Sequence, residues 1–271
     1  MTRQPHQPFP SSQPSRPPLT FAAVVAAATA DPSVAGLVLK GSHAHDGMAT
    51  GRSDHDLYIL HADGADSADA AGPVAAGALA GLDGHRSATL DLLVMPVGAF
   101  RRLGGYERYA LARSRVLLDR LDGEITRIVA AKGRLNADEA AREAADRLDA
   151  YANSLYRSVK NARDGLALAA RLDAADSVGF LLDVLFALDR RPRPYNKYLV
   201  WELERYPLPG WETTELVDAI DRISATGDVP AQRRLFARVE SVARGAGLGD
   251  TLDAWGGDLL AMRPGADDAV S

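Results

Sequence analysis

The apolar positions change their period near the middle of the chain. Before about residue 120 they come in short runs: VAGLVLK (34–40), DLYIL (56–60), ATLDLLVMP (88–96) and SRVLLD (114–119). Runs of this length, rich in branched residues and stopped by Gly41-Ser42 or Pro96, predict buried strands. FAAVVAAATA (21–30) predicts a short helix packed on the same domain, and the Ala-rich stretch between Gly64 and Gly84 predicts another. After Asp122 no strand pattern remains. Ala144, Leu148, Ala152, Leu155, Val159, Ala162 and Leu166 recur at spacings of three and four, one apolar stripe on a long helix. VGFLLDVLFAL (178–188) is apolar almost all round, the pattern of a helix buried inside a bundle. Further helices are predicted over 195–205, 212–224, 230–244 and 248–261, punctuated by Pro207, Pro209, Gly210, Gly227 and Pro230. The fold class is α+β: a small α/β domain over 19–121, then an all-helical one over 122–271. Residues 1–18 (MTRQPHQPFPSSQPSRPP) are too polar and proline-rich to build a core and are predicted to be disordered.

Composition narrows the partners. A net charge of -5 gives no electrostatic footprint for nonspecific nucleic-acid binding. With no cysteine in 271 residues there is neither a disulfide nor a thiolate nucleophile, which suits the cytoplasm. No apolar run approaches the length of a membrane span, so no membrane partner is expected. The run at 21–30 follows a long Pro/Gln/Ser-rich stretch and precedes Asp31-Pro32, so it reads as a packing helix rather than a signal-peptide core.

Two chemistries meet in GSHAHDGMATGRSDHDLYIL (41–60). His43 and His45, just after a strand, have the spacing of a zinc-binding pair in metal hydrolases. The lactamase-type form of that motif needs Asp and His where this chain has Gly47 and Met48, and an amidohydrolase barrel needs βα units where this chain has helices. Asp54 and Asp56 lie two apart at the mouth of a strand, so both point to one face and offer hard oxygens to magnesium. Asp91 interrupts a strand that otherwise reads as buried, where an unpaired charge is costly. If strands 56–60 and 88–95 are neighbours, it joins the first two, and three carboxylates can serve two metal ions. Gly41-Ser42 ends a strand with N–H groups and a hydroxyl suited to a phosphate.

Strand, Gly-Ser, Ser53-Asp54-His55-Asp56 and a later in-strand Asp91 together resemble the DNA polymerase β-like nucleotidyltransferase superfamily, over residues 34–95. The resemblance implies a small mixed-sheet nucleotidyltransferase core followed by a helical substrate or cap domain, as in aminoglycoside nucleotidyltransferases. It implies that Gly41, Ser42 and Ser53 contact the triphosphate. Asp54, Asp56 and Asp91 would be the catalytic ligands of two Mg²⁺ ions, with ATP the first choice of co-substrate. His55 departs from the family, which usually has an apolar residue there. RRPRPYNKYLVWELERYP (190–207) resembles a segment of those relatives in which Lys197 would reach the β- or γ-phosphate. The acceptor is then a hydroxyl of a small molecule or a protein, with Asp183, Glu202 and Glu204 as choices of general base. A silent nucleotide-binding regulator of the same fold and a His43/His45 hydrolase are the alternatives.

Overall fold

The computed structural model describes residues 19–63 and 79–265, which divide into two compact units. The first takes in the described residues up to Arg102 and returns for Arg115–Ile125; the second holds Leu103–Ser114 and everything from Thr126.

In the first unit α1 (Phe21–Ala30) starts at Thr20, whose hydroxyl accepts from the Ala23 amide at 3.2 Å, and it buries Val24 and Ala28. Four strands follow: β1 (Val34–Lys40), β2 (His55–His61), β3 (Leu90–Pro96) and β4 (Arg115–Asp119). They form one sheet in the order β3-β2-β1-β4. β1 is antiparallel to both β2 and β4, whereas β2 and β3 are parallel, so the sheet is mixed. The central strand β1 is buried through its first six residues, while the edge strand β4 alternates exposed and half-buried positions and ends on charges. A parallel pair needs a crossover between its strands. The Ala-rich helix expected there falls mostly on residues 64–78, outside the described residues; a short 3-10 turn spans Ala80–Leu82. A short helix, α2 (Val97–Arg102), leaves the end of β3.

The second unit is helical: α3 (Glu107–Ala112), most of α4 (Glu124–Lys132), α5 (Ala137–Arg163), α6 (Ala167–Leu188), α7 (Leu199–Arg205), α8 (Thr213–Thr226), α9 (Val229–Gly245) and α10 (Gly249–Asp253). α5 opens with a capping box: Asn136 Oδ1 accepts from the Glu139 amide, and the Glu139 carboxylate accepts from the Asn136 amide. Its buried stripe includes the predicted Ala144, Leu148, Ala152, Leu155 and Val159. The stripe ends there, because Gly165 takes a φ of 76° just past the helix and Leu166 turns out 55% exposed. α6 packs along α5 and buries Leu181, Leu182, Val184, Leu185 and Phe186, as its all-round apolarity requires. The helix expected over 195–205 is split. Asn196–Tyr198 form a single 3-10 turn after Pro192 and Pro194, and α7 proper begins at Leu199.

Candidate functional site

β1 ends at Lys40, and the chain enters a 3-10 turn at Gly41–Ala44. Gly41 has a φ of 71°, and a Cβ placed on it would lie 2.0 Å from Asp56 Oδ2. Only glycine serves both demands: a left-handed backbone and a carboxylate resting against its Cα. Ser42 is buried in the same turn, and the buried His45 has Nδ1 2.7 Å from the Gly41 carbonyl oxygen. Ser53 works locally, its Oγ accepting from the Thr50 amide at 3.0 Å and so fixing the turn that delivers Asp54 to the start of β2.

The register then sets the acids. Asp56 stands opposite Lys40 on β1 and opposite Asp91 on β3. Directly paired residues share a face of the sheet, so the strands expected to be neighbours bring Asp91 beside Asp56. Arg86 Nε lies 3.2 Å from Asp91 Oδ2, while Asp91 Oδ1 is buried and has no hydrogen-bond partner among the described residues. As the side chains stand, no three described His, Asp or Glu residues converge to hold a metal ion. The donor chemistry nonetheless fits magnesium, since every oxygen on offer is a carboxylate's and one of them is orphaned.

The histidines form a different structure. His55 stacks with His43 (centroids 3.7 Å apart, 11° between planes) and with Phe21 of α1 (4.2 Å, 16°). His43 Nε2 also lies 3.3 Å from the Ser53 carbonyl oxygen, tying the two turns together. Burial and the neighbouring His43 hold His55 below the usual imidazole range, against the opposing pull of the Thr89 hydrogen bond and Asp54. His55 therefore packs as a flat ring between His43 and Phe21.

Lys197 belongs to the second unit, in the 3-10 turn before α7, with its Nζ 5.3 Å from the Tyr198 ring centroid. It lines a cavity of ≈ 950 Å³ walled by α3, α5, α6 and the segment 191–198. Asp183 lines the same cavity, and burial pushes its carboxyl above the usual range despite Arg193 and Arg147 nearby. Glu202 is 1% exposed and fully engaged: Arg113 Nε donates to it at 2.9 Å, Arg191 Nη1 at 2.9 Å and the Tyr109 hydroxyl at 3.1 Å, with a second Arg113 contact besides. A carboxylate so occupied holds helices together, and Glu204 is exposed. Arg86, the His43–His55 stack and the Arg113–Glu202–Arg191 cluster were not foreseen from the sequence. A buried-side acid in α7 with arginines before and after it was the one available signal. No protein-family model matches the chain, and no curated protein matches it.

Proposed function

We propose that the chain is a metal-dependent nucleotidyltransferase, moving a nucleoside monophosphate, AMP from ATP as first choice, to an acceptor hydroxyl with release of pyrophosphate. The observation that carries this reading is the register: the glycine turn after β1, Asp56 on β2 and Asp91 on β3 stand side by side. Gly41 and Ser42 offer the triphosphate main-chain N–H groups and a hydroxyl. Asp54, Asp56 and Asp91 are the ligands, with Asp91 Oδ1 as the oxygen left over for the purpose. Two magnesium ions held there would neutralise charge on the attacking and leaving oxygens. The acceptor oxygen bonds to the α-phosphorus, the bond to the bridging oxygen breaks and pyrophosphate leaves, while a carboxylate takes the hydroxyl proton, with Asp183, Glu202 and Glu204 as the choices. Lys197 as a phosphate ligand rests on the resemblance alone. Positioning supplies most of the remaining rate.

Pyrophosphate release from ATP with Mg²⁺ and a panel of hydroxylated acceptors tests the proposal. Asp54→Asn should lower the rate at least about 100-fold by removing stabilisation of the transferring charge. A variant as active as the wild type would sink it. One observation favours a second reading, a nucleotide-binding regulator without turnover: the Arg86 guanidinium on Asp91 occupies the third ligand. In that case nucleotide binds and no pyrophosphate appears.

A further inference from the structure

The cavity of the helical unit has a charge pattern that restricts its ligand. Each of its three acidic side chains is already answered. Arg108 donates to Glu139, Arg147 Nε donates to Glu143 at 2.9 Å, and Arg193 Nη1 donates to Asp183 at 3.3 Å. Against those three acids the wall carries five cations, Arg108, Arg147, Arg191, Arg193 and Lys197. Arg191 is committed to Glu202 and Asp189 outside the wall. A polycation would have to displace guanidinium groups from their carboxylates, at a cost in both Coulomb energy and desolvation. An anion displaces no guanidinium, although Glu143 and Asp183 flank the arginine it would meet.

Arg147 is the group placed to receive it. Its bonds run through Nε, to Glu143 and, at 3.8 Å, towards Asp183; its two Nη groups have no partner among the described residues. Planar donors in that fork suit a phosphate or carboxylate. Tyr106 lines the same cavity, 77% exposed, with its ring 4.4 Å from the Tyr195 ring and 14° from parallel. The Tyr195 hydroxyl donates to the Tyr106 carbonyl at 2.7 Å, so the pair is braced and one ring face is left as a platform.

We infer that this cavity binds a small anionic, ring-bearing molecule, with its phosphate or carboxylate on Arg147 and its ring against Tyr106, and that it rejects polycations. Its status as acceptor rests on the nucleotidyltransferase reading; the binding itself does not. The test is titration calorimetry on the full chain, free of Mg²⁺ and nucleotide, with glucose 6-phosphate, phenyl phosphate and the polycation tobramycin. At least one of the two anions should bind with a Kd below about 1 mM, and tobramycin should give no heat. Preference for glucose 6-phosphate identifies a sugar ring, and preference for phenyl phosphate an aromatic one. Arg147→Gln and Tyr106→Ala should each weaken binding at least tenfold, and Arg147→Lys should restore part of it. Both side chains are open to solvent, so the variants should melt close to the wild type. The inference is overturned if neither anion binds, if both variants bind as tightly as the wild type, or if tobramycin binds. Anion binding without pyrophosphate release from any acceptor would remove the transferase reading and leave the cavity assignment; transfer without anion binding would do the reverse.

Discussion

At the scale of single residues the site turns on Gly41. A side chain there must adopt a φ of 71° and also place its Cβ 2.0 Å from Asp56 Oδ2. The first demand costs a non-glycine residue about 1–2 kcal/mol, and the second is met only by moving the carboxylate. Gly41→Ala should therefore lower stability by at least about 1 kcal/mol in urea unfolding and weaken magnesium-nucleotide binding further than the stability loss explains. Stability and binding equal to the wild type would show that Asp56 does not depend on the turn. The residues of this turn were legible in the sequence because Gly-Ser after an apolar run and acids at alternate positions each carry a local geometric meaning. Arg86 was not, because its contact with Asp91 depends on a bridge between 86 and 91 that no periodicity encodes. The His43–His55–Phe21 stack was hidden for the same reason: its rings come from α1, a turn and a strand.

Among elements, strands read well and helix ends read less well. β1 and α1 have the predicted bounds, since one is apolar throughout and the other is closed by Thr20 and Asp31. The helix before Arg205 read too long because propensity did not register the 3-10 turn that follows two prolines. What joins α7 to α3 is the Glu202 carboxylate, and here tertiary contact rather than sequence pattern decides. Removing one partner of a buried ion cluster strands the rest. Glu202→Ala should cost about 3–5 kcal/mol because the Arg113 and Arg191 charges lose their counterion. Urea unfolding measures it, and a loss under about 1 kcal/mol would mean that water satisfies the arginines in its place.

Across the whole molecule the α+β class and the switch from sheet to helices near residue 120 were legible, because the hydrophobic period itself changes there. The unit boundary was less so: Leu103–Ser114 lie in the first half of the chain yet belong to the helical unit. The reason is physical. Tyr109 and Arg113 of this excursion bond to Glu202, some ninety residues on, and local propensity carries no trace of such a contact. Nucleotide binding is read at this same scale, since a nucleotide bound only by the native state raises the melting temperature according to its concentration relative to Kd. The most direct test is thermal unfolding with ATP, GTP, CTP and UTP, each with and without Mg²⁺, on the wild type and on Asp54→Asn/Asp56→Asn. A magnesium-dependent rise is expected for at least one nucleotide, ATP first, and the double variant should lose it while its own unliganded melting temperature stays near normal. A rise that survives in the double variant, or no rise with any nucleotide, would contradict it.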